Sequence, residues 1–282
     1  FFSSRRRPTR CLSDWSSDVC SSDLIDCGTN SIRLLVADVS ENNFREITRE
    51  MEIVRLGQGV DATGQFDPEA IERTLNATKR YAEIIQSKGV EKIRFCATSA
   101  TRDASNREIF ISGVKEILGI EPEVIPGTEE AALSFLGATK ELKHAQTPYL
   151  VVDIGGGSTE FVFGEDEVKF SRSVDIGCVR MAERHLKVSP PKPLDVQNAI
   201  VDIDKAIHQA EALVPIKEAQ TLIAVAGTAT TVAAAALDLD SYDRHAIHLS
   251  RIPAQKVLEI AQRFQLMNKD EITALPYMHP GR

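Results

Sequence analysis

Two short stretches combine a carboxylate, glycines and a hydroxyl at spacings that suit phosphate chemistry. In Tyr149-Leu-Val-Val-Asp-Ile-Gly-Gly-Gly-Ser-Thr-Glu-Phe-Val-Phe163, Asp153 stands where an apolar run ends; Gly155, Gly156, Gly157, Ser158 and Glu160 follow. Glycine has no Cβ, so the chain can turn sharply there and bring backbone N–H groups against a bulky anion. Asp153 is then placed to hold Mg²⁺ beside that anion. The same order recurs in Leu24-Ile-Asp-Cys-Gly-Thr-Asn-Ser-Ile-Arg-Leu-Leu-Val36, where Asp26, Gly28 and Ser31 match Asp153, Gly155 and Ser158 at one constant offset.

These loops must sit on strands. Tyr149 to Val152 are β-branched, aromatic or aliphatic, as a buried strand requires, and Glu160 to Phe163 read as a second strand. That separates the unit from the P-loop, which has Gly-Lys-Ser/Thr, and from the dinucleotide fingerprint, because both of those lead into a helix. A run of glycines is ordinarily only a turn. Two hairpins in register argue instead for a duplicated domain with the ligand in the cleft between copies.

Other elements support further candidates. After the first hairpin, residues 37 to 50 read as continuing strand material and Met51 to Leu56 as a third strand; Asp67-Pro68 then caps a helix ending at Lys88-Gly89. Lys92 to Ala97 form a buried strand, and Thr98-Ser-Ala-Thr-Arg102 is a hydroxyl-rich loop at its carboxyl end, where ligands of open α/β sheets gather. Arg102 is there either a phosphate contact or a surface arginine. Asn106 to Leu118 is the next helix and Glu123 to Ile125 a short strand; Thr128 can cap a helix to about Leu142, with Glu129 and Glu130 in its first turn. Acidic residues there commonly serve only the helix dipole.

Val174 to Gly177 read as a strand leading into a helix over 178–186. A helix over 194–213 has Val196, Ile200, Ile203 and Ile207 as its core stripe, and residues 247–275 read as a strand and two helices. Thr221 to Ala226 form a strand running into Gly227 and Thr228 at a helix N-terminus, which is either an anion site or a seam of small residues.

Together the motifs Asp26-Cys-Gly-Thr-Asn-Ser31, Ala97-Thr-Ser-Ala-Thr-Arg102, Pro126-Gly-Thr-Glu-Glu-Ala131, Asp153-Ile-Gly-Gly-Gly-Ser-Thr-Glu160 and Ala226-Gly-Thr-Ala-Thr-Thr231 fall in a family order. The chain resembles the bacterial exopolyphosphatases and guanosine pentaphosphate phosphatases, a branch of the actin-like phosphotransferases, from about residue 24 onward. The resemblance implies an α/β fold of two duplicated actin-like, ribonuclease H-like domains, with mixed sheets flanked by helices and a cleft between them. Their expected limits are 24–142 and 143–282. It also implies Glu130 as the catalytic base; Asp153 and Glu160, with Asp26 through water, as the Mg²⁺ holders; and Asn30, Ser31, Arg102, the three glycines of 155–157, Ser158, Gly227 and Thr228 as the phosphate cradle. Phosphoryl transfer to water needs those parts: neutralised oxygens, an in-line water and a group that activates it.

Three readings follow: release of phosphate from polyphosphate ends, hydrolysis of the 5′ γ-phosphate of guanosine pentaphosphate, and a non-catalytic phosphate- or nucleotide-sensing module. A sugar kinase of the same superfold has no sugar-binding signature in support. No Gly-x-Ser-x-Gly elbow points to a serine hydrolase, and the six scattered histidines have no zinc spacing.

A net charge of −8 argues against general nucleic-acid binding, and no apolar run approaches the ~20 residues of a membrane helix. Five cysteines without zinc or secreted-domain spacing suit reduced thiols in a cytoplasm. A homodimer is left open. Residues 1–23 are Ser- and Arg-rich, lack periodicity, carry the sole Trp, and resemble translated adapter sequence or a disordered tail. The family continues past Arg282 with a further Gly-rich segment and a helix, so the chain is expected to be truncated at both ends.

Overall fold

The computed structural model describes residues 2–3, 20–40, 43–90, 92–142 and 145–279. Most of the tail 1–23, together with His144, therefore lies outside the described residues. Two compact units are formed, one running to Gly127 and the other starting at Thr128. The two-residue strand β1 (Phe2–Ser3) adds to the sheet of the second.

The first unit is built on β2 (Cys20–Cys27), β3 (Ser31–Ser40) and β4 (Asn43–Ile53), an antiparallel meander. β4 starts at Asn43 rather than Met51, because its backbone pairs with β3 from Ser40↔Asn43 through Ser31↔Ile53. β2 likewise starts ahead of Leu24, with Cys20 opposite Val39. Then come α1 (Val60–Thr63), α2 (Pro68–Ser87), β5 (Lys92–Ala97), α3 (Ser99–Asp103), α4 (Arg107–Leu118) and β6 (Glu123–Val124). Sheet order is β4-β3-β2-β5-β6, with β5 parallel to both β2 and β6.

α2 begins as its sequence requires. The Asp67 carboxylate accepts the N–H groups of Glu69 at 2.8 Å and Ala70 at 3.3 Å, with Pro68 in the first turn. Its inner face, including Ile71, Tyr81 and Ile85, joins Ile25, Leu34 and Phe95 in the core. Tyr81 keeps its hydroxyl satisfied by donating to the Ile32 carbonyl at 3.1 Å, and burial pushes that phenol up. Phe66 and Phe95 meet Phe110 edge to face, each fully buried ring stabilising by about 1.5–3 kcal/mol.

The second unit holds α5 (Gly127–Thr139), β7 (Tyr149–Ile154), β8 (Thr159–Gly164), β9 (Val168–Val174), α6 (Cys178–His185), α7 (Pro193–Glu211), β10 (Thr221–Val225), α8 (Ala226–Ala236), α9 (Arg244–Ile247), α10 (Ala254–Leu266) and α11 (Lys269–Thr273). Sheet order is β1-β10-β7-β8-β9, in which β7-β8-β9 is again an antiparallel meander and β10 runs parallel to β7. Two α/β units, each with a mixed sheet and helices, match the expected fold class.

Several local expectations are corrected. The strand before α6 ends at Val174, and residues 175–177 are the approach to the helix. α7 turns Ala199, Ala206 and Ala210 to the core, leaving Ile200 at 41% exposed, so the buried stripe is the alanine face beside Ile203 and Ile207. Small residues let the helix approach the sheet closely. Residues 247–275 carry α10 and α11 but no strand longer than an isolated bridge at Ser250. The segment after β5 is the helix α3 rather than a loop, and α5 starts at Gly127, so Thr128 lies inside it.

Candidate active site

The two hairpins share one geometry. Gly28 N–H donates to the Ser31 carbonyl at 3.0 Å, and Gly155 N–H donates to the Ser158 carbonyl at 3.0 Å. A Cβ on Gly155 would lie 3.0 Å from that carbonyl, so glycine is the residue that closes the turn without displacing it.

What differs is the residue across from each aspartate. Asp26 pairs with Arg33 in the sheet, and their side chains form an ion pair at 3.1 Å. Asp153 pairs with Glu160, so the second hairpin sets two carboxylates across from each other where the first sets a carboxylate and a cation. Both acids are fully buried, and Glu130, on the first turn of α5, is buried as well. Desolvation, followed by the charges of Glu130 and Asp153, pushes the Glu160 carboxyl up to about 8.

Hydroxyls hold these acids in place. Ser134, one turn beyond Glu130, donates to Asp153 Oδ2. Ser158 and Ser173 both donate to Glu160 Oε1, at 2.7 Å and 2.8 Å. Glu160 Oε2 is buried with no hydrogen-bond partner among the described residues. An orphaned carboxylate oxygen between mutually repelling acids fits a hard divalent cation, which would supply the missing positive charge. No three His, Cys, Asp or Glu side chains among the described residues form a complete ligand set by themselves. Mg²⁺ needs none, since it characteristically takes one or two carboxylates and fills its octahedron with water and substrate phosphate.

The remaining expected residues fall as follows. Ser158 and the glycines Gly155, Gly156 and Gly157 sit beside Asp153 and Glu160 at the hairpin turn. Gly227 and Thr228 occupy the first turn of α8, entered through Ala226 in the left-handed region at φ 70°. A non-glycine residue there is strained, and such strain recurs at ligand-binding turns. Thr230 and Thr231 donate back to the Gly227 carbonyl at 3.2 Å and 2.9 Å, which turns both hydroxyls into the helix. Asn30, Ser31, Asp26 and Arg102 belong to the first unit. The Asn30 carbonyl accepts the N–H groups of Val54 and Arg55. Arg102 Nη1 donates to the Ile125 carbonyl at 2.9 Å, which anchors its guanidinium at the end of β5.

Sequence reasoning missed Arg33, Ser134 and Ser173. Arg33 was legible in principle, because the offset that matches Asp26 to Asp153 also matches Arg33 to Glu160. Ser134 follows Glu130 by four residues, the spacing that stacks two side chains on one helix face.

Fold and site together define a phosphate-handling α/β protein with one acidic glycine loop. The chain belongs to the Ppx/GppA phosphatase family, whose pattern matches residues 35–282. It is 49% identical over 267 residues to exopolyphosphatase 2 of Mycobacterium tuberculosis, covering 92% of this chain and 84% of the relative. The guanosine-5′-triphosphate,3′-diphosphate pyrophosphatase of Photobacterium profundum is 34% identical over 191 residues, covering 67% of this chain and 38% of that protein. Among solved structures, an exopolyphosphatase-like protein superimposes with a TM-score of 0.90 at 42% identity, covering 95% and 84% of the two chains. The Aquifex aeolicus PPX-GPPA enzyme superimposes with a TM-score of 0.73 at 30% identity, covering 90% and 83%.

Proposed function

We propose that this protein hydrolyses the terminal phosphoanhydride bond of inorganic polyphosphate and releases phosphate. The observation that carries the reading is the pair of facing buried carboxylates, Asp153 and Glu160, set beside the Gly155–Gly157 turn with Glu130 close enough to raise the Glu160 pKa. The 49% identity to an exopolyphosphatase favours polyphosphate over guanosine pentaphosphate, whose hydrolase is matched at 34% over a shorter span.

In this reading Asp153 and Glu160 hold Mg²⁺, which when bound neutralises charge on the phosphate oxygens. Ser134 fixes Asp153, while Ser158 and Ser173 fix Glu160, so both carboxylates are oriented before substrate arrives. Glu130 accepts a proton from the attacking water and orients it. The Gly155–Gly157 backbone and Ser158 hold the terminal phosphate, and Gly227 and Thr228 offer a second anion-binding turn at the start of α8. Asn30, Ser31 and Arg102 are the first unit's phosphate-binding residues. Asp26 is the weaker metal candidate because Arg33 already neutralises it.

No helix among the described residues is long and apolar enough to cross a membrane. Cys27, Cys96 and Cys178 are free thiols, which suits a reducing cytoplasm. The test is phosphate release from polyphosphate, guanosine pentaphosphate and ATP side by side. Higher kcat/KM on polyphosphate is expected, and preference for the guanosine nucleotide would replace this reading with the second.

A further inference from the structure

The segment that follows β9 is tied to the glycine loop through all three of its carbonyls. Cys178 N–H donates to the Gly155 carbonyl at 3.0 Å, and Val179 and Arg180 N–H both donate to the Gly156 carbonyl at 2.9 Å and 3.1 Å. The third carbonyl, that of Gly157, is taken by a side chain: Arg180 Nε donates to it at 2.7 Å. The amides of Gly156 and Gly157, by contrast, donate to no backbone carbonyl among the described residues. A loop whose carbonyls are all engaged, and whose two amides have no backbone partner, is suited to receive an anion.

The approach of the two backbones is close enough to dictate a residue type. A Cβ on Gly177 would lie 2.2 Å from the Gly156 carbonyl carbon and oxygen and 2.4 Å from the Gly157 nitrogen. These are backbone atoms and cannot yield without moving the loop. The first hairpin uses a related device: Val54 and Arg55 N–H donate to the Asn30 carbonyl, Gly57 N–H donates to the Thr29 carbonyl at 2.8 Å, and a Cβ on Gly57 would lie 2.3 Å from Thr29 Cγ2. In each copy the chain leaving the third strand returns to brace its own loop.

We propose that Gly177 and Arg180 are positioning residues that hold the Gly155–Gly157 loop in its anion-binding form, so that they set the affinity for the terminal phosphate without touching it. This rests on the polyphosphatase reading. A loop that holds the phosphate equally in ground and transition states affects KM more than kcat.

The experiment is steady-state phosphate release from polyphosphate by the full chain, at saturating Mg²⁺, for the wild type, Arg180→Ala, Arg180→Lys and Gly177→Ala. Arg180→Ala is expected to raise KM about tenfold, the order of one charge-assisted hydrogen bond, with kcat within about threefold and the melting temperature lowered by no more than a few degrees. Arg180→Lys, which keeps a cationic donor, should recover part of that loss, and Gly177→Ala should exceed it. Should Gly177→Ala fail to fold, the two Arg180 variants decide alone. An active wild type with KM unchanged in Arg180→Ala, or with kcat falling at constant KM, would overturn the proposal while leaving the phosphatase reading intact. A folded wild type that releases no phosphate would overturn both.

Discussion

Replacing Asp23 by valine is expected to stabilise the protein, and by more at pH 8 than at pH 5. Asp23 lies on the central strand β2 opposite Val36 and Ile93, is 5% exposed, and has no hydrogen-bond partner for either carboxylate oxygen. The Arg94 amide is near enough to ease the charge slightly, though it falls short of hydrogen-bond geometry. Burial pushes the carboxyl from 3.8 to about 7. Because the folded value is raised, the native state binds the proton more tightly than the unfolded chain, so stability is lost as pH rises from about 4 to 7 and the loss is complete above that. At 1.36 kcal/mol per unit, the penalty is on the order of 2 kcal/mol at pH 5 and 4 kcal/mol at pH 8. Valine removes it and adds roughly 1.5 kcal/mol of apolar burial. Urea unfolding at the two pH values, read by hydrogen exchange in β2 and β3 so that only the first unit reports, measures the difference. Equal gains at pH 5 and pH 8 would refute the reasoning, because they would mean that Asp23 is not ionising inside the sheet.

Glu130→Gln should leave KM within a few-fold while lowering kcat by about 10²–10⁴, the usual loss of a general base, as measured by initial rates on polyphosphate. Unchanged kcat would discard Glu130 as the base. The raised pKa of Glu160, about 8 without a cation, means that Mg²⁺ must displace a proton below that pH. The Mg²⁺ concentration for half-maximal activity should therefore be about tenfold higher at pH 7 than at pH 9. A pH-independent requirement would show that Glu160 is not a ligand.

The duplicated hairpins, α2 with its Asp67 cap, and the strands β5, β7 and β10 were all legible because periodicity and turn residues agreed there. The helix stripe of α7 was not, since hydrophobicity ranks Ile200 above Ala199 while close packing against the sheet favours the smaller residue. The break between β3 and β4 was not legible, because residues 37 to 50 read as one stretch of strand material, whereas β4 starts at Asn43 and sets Arg45 against Asp38 of β3. The candidate site was legible as residue types at an offset. Its electrostatics were not, because the Asp26–Arg33 pair and the Asp153–Glu160 pair become neighbours only through strand register. The α6 brace was equally hidden, since it consists largely of backbone contacts that no motif spells out.

The central claim is that the acid pair of the second hairpin, rather than the compensated pair of the first, carries the cation for phosphoanhydride hydrolysis. It is tested most directly by Mg²⁺ titrations of phosphate release from polyphosphate for the wild type, Asp153→Asn and Asp26→Asn. The account predicts no release in EDTA, a rise in the Mg²⁺ requirement of at least tenfold or loss of activity in Asp153→Asn, and a much smaller shift in Asp26→Asn. Undiminished release in EDTA, or a larger shift in Asp26→Asn than in Asp153→Asn, would contradict it.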